Sequence, residues 1–208
     1  SVTVVAAVLL TTPWLRGSWE REPGPGLARR RLAETMQVWV GEVAPGVVGV
    51  LGPVWGQEGP DREHDRRLNE QLALAEGRDL AWYHLLVFNR SAEEQEVSLA
   101  DGALTLRWTY SPDPVALTSL AGLVARGEAR AAPSLAAVLR ARGALSETVT
   151  VPAGWMADLL VAFERRVPLD EAVEVATAAG STFERRPMTR RELDQLVEDP
   201  DRARIEDL

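Results

Sequence analysis

The sequence predicts a mainly β protein with helical insertions and an apolar N-terminal segment. Residues 81–88 are apolar on both faces, which is typical of a central strand. Residues 104–110 alternate apolar and polar side chains, which indicates a strand with one buried face, and residues 155–163 form an apolar strand interrupted by Asp158. The chain has 208 residues, 46% of them hydrophobic and 26% charged, so we expect one large folded domain or one domain with an appendage.

The composition excludes several classes of chemistry. All 23 basic residues are arginine, so a Schiff-base lysine and a phosphate-loop lysine are excluded. The chain has no cysteine, which excludes disulfides, thiol nucleophiles, thiolate zinc sites and iron-sulfur clusters. A net charge of -8 argues against a nucleic-acid partner, because phosphate binding needs a basic surface. The arginine-only, alanine-rich composition indicates a bacterial, GC-rich genome.

The N-terminal segment has two interpretations. Residues 2–15 carry no charge, but they are fewer than the roughly 20 apolar residues that span a bilayer. They are either the end of a longer membrane or signal segment, or a buried strand rich in valine and threonine. No basic region precedes them, which weakens the interpretation as a signal peptide.

Tryptophan is concentrated in the first quarter of the chain, at Trp14, Trp19, Trp39 and Trp55. Indole rings favour membrane interfaces and the centres of protein interfaces, although they also occur in ordinary cores. We therefore expect residues 1–60 to form an anchoring or partner-binding region that uses these four side chains. Residues 61–208 are then the β domain with its helical insertions.

The elements follow in order. Residues 36–40 alternate like a half-buried strand, and residues 45–60 break the pattern with glycine and proline but are apolar enough that they must pack on something. Residues 61–76 indicate a polar helix that ends at Gly77. The sequence Asp101-Gly102 predicts a tight turn before the strand at 104–110.

The second half combines short helices and strands. One apolar stripe, made by Leu117, Leu120, Ala121 and Val124, predicts a first helix, and a second helix begins at Pro133 and ends at Gly143. Strands follow at 148–151 and 155–163. Residues 173–176 fit a strand or a helix, and residues 182–185 a weaker strand. The final helix begins at Thr189, which has the capping-box spacing to Glu192.

Part of the chain resembles a known family. A hydrophobic strand ends in Asn89-Arg90-Ser91, and later Val151-Pro152-Ala153-Gly154 leads into the apolar residues 159–163. Over roughly residues 80–186 this order resembles the immunoglobulin-like, telokin-like β-sandwich of bacterial extracytoplasmic proteins of unknown function. The resemblance implies a sandwich fold and an extracytoplasmic compartment. It carries over no catalytic residues.

Few side chains suggest chemistry. His64 lies among acidic residues on a polar helix, where a metal or acid-base site competes with a simple solvated face. His84 lies in an apolar strand and fits a structural histidine better than a catalytic one. Asp158 interrupts an apolar strand; it is either exposed on the outer face or, if buried, paired with an arginine such as Arg107. We therefore predict no catalytic, metal or cofactor site.

Two polar features after residue 88 have structural explanations. Asn89-Arg90-Ser91 is a polar turn, and its match to a glycosylation sequon matters only in a glycosylating host. The carboxylates of Glu93, Glu94 and Glu96 are expected to be solvated, with a weak cation site as the alternative.

The functional expectation is a non-enzymatic, extracytoplasmic (periplasmic) accessory or interaction subunit of a membrane-associated protein assembly. Its partners would be protein subunits and the membrane surface, contacted through the tryptophan-rich quarter, and it would need no cofactor. The alternative is a soluble α+β hydrolase or small-ligand-binding protein that uses arginine and carboxylate side chains, with residues 2–10 as a central strand.

Overall fold

The computed structural model describes residues 35–54, 63–189, 191–193 and 195. The strands within them are β1 Thr35–Ala44, β2 Val47–Pro53, β3 Ala81–Asn89, β4 Gln95–Ser98, β5 Leu104–Trp108, β6 Ser111–Thr118, β7 Thr148–Val151, β8 Met156–Phe163, β9 Ala172–Thr177 and β10 Glu184–Thr189. The named helices are α1 Glu63–Leu72, α2 Leu120–Ala125 and α3 Pro133–Ala141. The predicted mainly β class is confirmed.

Eight of these strands form one antiparallel sheet in the order β10-β1-β2-β3-β8-β6-β5-β9. The sheet coils until it is nearly closed. Its two ends are tied where the backbone N–H of Phe183 donates to the carbonyl of Val175 at 2.8 Å. The Phe183 ring then lies against β1 at Gly41, where a Cβ atom would come within 2.5 Å of Cδ1 of that ring. Glycine at position 41 therefore allows the closure.

Apolar side chains from β1, β2, β3, β5, β6, β8 and β9 fill the inside of this sheet. The loop between β8 and β9 closes one end. There the indole N–H of Trp39 donates to the Leu169 carbonyl at 3.0 Å, and the hydroxyl of Tyr83 donates to the Val167 carbonyl at 2.7 Å. At the other end of β3, the separate pair β4–β7 adds Val97 and Val151 to the core.

The outer face of the sheet is also covered. The three helices pack on the outer side of β3 and β8 around the side chains of Trp82, Leu123 and Leu139. A further cluster covers β1, β2 and β3 and includes Leu193 from the helical residues after β10. With both faces buried, all nine residues of β3 are buried, as predicted for a central strand.

The predicted capping box before the final helical residues is confirmed. The backbone N–H and hydroxyl of Thr189 donate to the Glu192 carboxylate at 2.6 and 2.7 Å, and the Glu192 N–H donates back to the Thr189 hydroxyl at 3.2 Å. These hydrogen bonds from Thr189 hold the pKa of Glu192 below its ordinary value.

Two strands differ from the sequence prediction. Residues 45–60 were expected to break the strand pattern, but β2 runs through their glycines, and Gly49 lies where a Cβ would come within 2.5 Å of Val43 Cγ1. The sequence gives no strand signal for β6, which carries Pro112 and Pro114. Proline is tolerated there because β6 pairs with β8 only from Leu117 onward, so its first part is an edge strand.

The structure also bears on the first quarter of the chain. β1 and β2 precede residue 60, yet they lie in the middle of the sheet between β10 and β3. The sheet therefore unites strands from both sides of the expected division at residue 60. Residues 173–176 form a strand, within β9. Among the described residues, no helix has the length and apolar character needed to cross a membrane.

Candidate functional site

A polar cluster lies on the outer face of the two central strands. His84 on β3 is paired with Leu160, and Asp158 on β8 is paired with Leu86, so the two polar side chains are diagonal neighbours. Nδ1 of His84 is 2.8 Å from Oδ1 of Asp158. Nη1 of Arg142 donates to the other carboxylate oxygen, Oδ2. We call His84, Asp158 and Arg142 the polar triad.

Arg142 lies at the C-terminal end of helix α3 and reaches the polar triad from there. The helix begins at Pro133 and ends just before Gly143, whose positive φ of 67° lets the chain turn toward the sheet. A Cβ at Gly143 would come within 2.8 Å of Val149 and 2.9 Å of Leu159, so the turn also needs glycine for space. The Arg142 carbonyl then accepts a hydrogen bond from the Leu160 N–H at 3.0 Å, which fixes the helix end on β8.

The polar triad is mostly shielded from water. His84 is 8% exposed, and it lies between Leu160 of one outer cluster and Leu86 of the other. Burial alone would raise the pKa of Asp158, but the hydrogen bond and charge of His84 and the charge of Arg142 outweigh it and hold the pKa below 3.8. The carboxylate therefore stays ionised and orients the imidazole through Nδ1.

The polar triad joins β3, β8 and the end of α3 through the two oxygens of the Asp158 carboxylate. Each carboxylate oxygen of Asp158 has its own donor, so the buried charge is compensated. The sequence-based pairing of Asp158 with Arg107 is wrong, because Arg107 lies 3.5 Å from Glu174 instead. The reason is topological: β6 separates β5 from β8, while α3 brings Arg142 back over β8.

The Asn89 turn is confirmed and is built around a buried side chain. Nδ2 of Asn89 donates to the carbonyls of Glu93 and Val151, each at 2.8 Å. Its Oδ1 accepts from the N–H of Ser91 at 2.9 Å and from the Ser91 hydroxyl at 2.7 Å. The amide nitrogen that glycosylation would modify is thus buried and already used twice, which supports the structural interpretation of this motif.

An exposed aromatic surface lies at the turn between β5 and β6. The Tyr110 side chain is 80% exposed. Its ring meets the Trp108 ring edge to face, with centroids 6.5 Å apart and an interplanar angle of 85°. The Arg165 guanidinium lies 6.0 Å from the centroid of the same Trp108 ring. We call Trp108, Tyr110 and Arg165 the hairpin patch.

A polar cleft of about 430 Å³ lies along β6; we call it the β6 cleft. Its charged lining side chains are Arg78, Asp101, Asp113, Arg126, Glu164 and Arg165. Arg126 lies 3.5 Å from Asp101, and Arg78 is paired with Glu164. A second cleft of about 740 Å³ lies beside α1 and shares Arg78, Glu164 and Arg165 with the first. The polar surface is therefore continuous from α1 to β6.

The structure places the sequence-predicted residues as follows. Trp39 is 4% exposed and belongs to the interior of the sheet, where its indole is hydrogen-bonded within the same chain. Trp14, Trp19 and Trp55 lie outside the described residues, as does the side chain of His64. No group of three or more histidine, cysteine or carboxylate side chains that could hold a metal ion occurs in the described part of the chain.

Sequence reasoning found His84 and Asp158 but not the arginine that joins them. The hairpin patch was also missed as a surface, although Trp108 and Tyr110 lay in a predicted strand. The signal for it was the end of the alternation at Tyr110, directly before the prolines of β6. In the comparisons with known proteins, no family model matches this chain, and no curated protein or solved structure is significantly similar to it.

Proposed function

We propose that this protein is a non-enzymatic, extracytoplasmic accessory subunit of a membrane-associated protein assembly, to which its N-terminal segment attaches it. The folded domain would then serve as the recognition part, facing the partner subunits. We further propose that this domain is of the immunoglobulin-like kind. In its support, the two halves of the nearly closed sheet enclose one apolar core from opposite sides, as the two layers of a sandwich do.

One observation carries the proposal. Residues 35–189 supply all eight strands of the large sheet and the apolar side chains that fill it. The uncharged residues 2–15 precede that part of the chain and carry Trp14 at their end. An apolar segment joined to a domain that already has its own filled core is suited to contact something other than that core.

The test is a deletion of residues 1–34. A deletion to residue 57 would also remove β1 and β2 and thereby break the sheet, so the shorter deletion is required. We expect the tagged full chain to sediment with the membranes of its native cells and the shortened chain to appear in the soluble fraction. Protease added to spheroplasts should degrade the full chain, because the domain faces the periplasm.

The control is the fold of the shortened chain. Purified residues 35–208 should unfold cooperatively, with a β-type far-ultraviolet circular dichroism spectrum. If the full chain is already soluble, the attachment role is refuted. If the shortened chain still sediments, attachment resides in the described domain and not in residues 1–34.

Small-ligand binding is a second candidate function, and the β6 cleft favours it. The cleft is concave and combines arginine and carboxylate side chains, the types expected from the sequence for this alternative. Its volume of about 430 Å³ lies in the range of roughly 300–1,000 Å³ that is usual for small-molecule sites.

A further inference from the structure

We propose that the hairpin patch and the β6 cleft together form a binding site for a neutral oligosaccharide of hexopyranose units. One sugar ring would stack on the exposed Tyr110 ring, and the next would place its hydroxyl groups against the charged side chains of the cleft. The residues that form this site lie between positions 78 and 165, so the inference goes beyond the attachment role; it names the ligand class for the second candidate function, small-ligand binding, on which it rests.

The Tyr110 ring is exposed to solvent and supported from one side. Tyr110 is the most exposed large side chain among the described apolar and aromatic residues, at 80%. The edge-to-face contact with Trp108 supports it from one side and leaves the rest of the ring accessible. A ring held in this way presents an apolar face beside a polar hydroxyl, which suits the C–H face and hydroxyl rim of a pyranose.

The Tyr110 ring and the β6 cleft are continuous along strand β6. β6 begins at Ser111, directly after Tyr110, and residues 113–118 of the same strand line the cleft. Arg165 belongs to both places, because its guanidinium lies over Trp108 and its side chain lines the cleft. A linear ligand stacked on Tyr110 would therefore extend along β6.

The charged side chains of the β6 cleft balance one another. Its lining contains three arginines (Arg78, Arg126 and Arg165) and three carboxylates (Asp101, Asp113 and Glu164), so its formal charge is zero. The whole chain, by contrast, carries -8. A cleft that balances its own charge has no net attraction for an anion such as nucleic acid or for a cation.

The β6 cleft contains both hydrogen-bond donors and hydrogen-bond acceptors. Guanidinium groups offer only donors and carboxylates only acceptors, and the cleft contains both. In the part of the chain that the structure describes, Arg165 and Asp113 have no ion-pair partner, so one strong donor and one strong acceptor are available. A sugar hydroxyl donates and accepts at once, which is the pattern that this mixture satisfies.

The experiment is isothermal titration of the full chain with maltoheptaose, cellohexaose and chitohexaose. We expect at least one of them to bind. Tyr110→Ala should weaken its binding about tenfold or more, as for an aromatic anchor, whereas Tyr110→Phe should stay within about twofold. Because the ligand is neutral, raising the salt concentration from about 50 to 500 mM should change the dissociation constant by less than about twofold.

Trp155→Ala is the matched control. Trp155 is also exposed, at 51%, but it precedes β8, whereas Tyr110 lies beyond the other end of that strand. This variant should bind like the wild type, and Tyr110→Ala should melt at the wild-type temperature because its side chain is exposed. The proposal is overturned if none of the three oligosaccharides binds at about 10 mM, or if Tyr110→Ala and Trp155→Ala affect binding equally. Either result leaves the membrane-fractionation test unaffected.

Discussion

The two faces of the central strands β3 and β8 are buried in different ways. The inner face presents Tyr83, Leu85 and Val87 against Leu159 and Val161, and its one hydroxyl is hydrogen-bonded to backbone. The outer face is covered as well, but it carries His84 and Asp158 between its apolar neighbours.

The difference shows that burial and apolarity are separate properties of a strand. The inner face is enclosed by the sheet and by the loop between β8 and β9, and the indole of Trp39 and the hydroxyl of Tyr83 there donate to backbone carbonyls of that loop. The outer face is enclosed by elements that arrive from elsewhere, and the polar triad lies where two of the apolar clusters that cover it meet. Arg142 from α3 can therefore compensate the carboxylate of Asp158 on the outer face.

The largest expected effect is on the inner face. Phe163 is fully buried and packs edge to face on Tyr83, with ring centroids 5.5 Å apart. Phe163→Ala should lower the free energy of unfolding by about 3–5 kcal/mol, measured by urea denaturation. Phe163→Leu, which keeps most of the volume, should cost about 1.5 kcal/mol or less. Equal costs for the two variants would show that this interior is loosely packed.

A smaller effect is expected for the polar triad. Asp158→Asn replaces a charged acceptor by a neutral amide while His84 and Arg142 remain in place, so we expect a loss of about 1–3 kcal/mol in the free energy of unfolding. Asp113→Asn is the matched control, since Asp113 is exposed, and it should change stability by no more than about 0.5 kcal/mol. If Asp158→Asn left the free energy of unfolding unchanged, the outer face would tolerate polar groups without compensation.

The same variant has a predicted pH dependence. The pKa of Asp158 is lowered in the folded protein from the ordinary value of 3.8, so the ionised carboxylate contributes stability above that value. The contribution is lost as the pH falls through the lowered pKa. The stability difference between wild type and Asp158→Asn should therefore shrink as the pH falls below about 4. A difference that grows as the pH falls below about 4 would contradict this assignment.

The smallest expected effect is the difference in stability between two variants, each of which changes an indole on one face. On the inner face Trp39 donates to the carbonyl of Leu169 at 3.0 Å, and on the outer face Trp82 donates to Oδ1 of Asn69 at the same distance. Each change to phenylalanine removes one hydrogen bond, worth about 1 kcal/mol, and a similar volume of buried ring, so the difference between the two variants reports mainly on the hydrogen-bond partners. The Trp39 variant should cost more, because it leaves a buried backbone carbonyl unsatisfied, whereas Asn69 is part-exposed. Thermal melting of the two variants would show which of them loses more stability.

The sequence predicted what depends on local pattern. The burial of residues 81–88 followed from a continuous apolar run, and the Thr189–Glu192 capping box followed from spacing alone. β6 escaped prediction because its two prolines are unfavourable in most strands and are tolerated here only by its edge position. Arg142 escaped because its role depends on how α3 returns to the sheet, and the apolar pattern of β8 carries no information about that path.

The pairing of β1 with β10 has a consequence for how the chain acquires its fold. Thr35 is paired with Thr189, so the two strands are far apart in the sequence. Such distant pairing slows folding, because a long loop must close before any contact stabilises it. During synthesis β1 must wait until β10 has left the ribosome. Until then its edge is open to pairing with other chains, which makes this step the most vulnerable to aggregation.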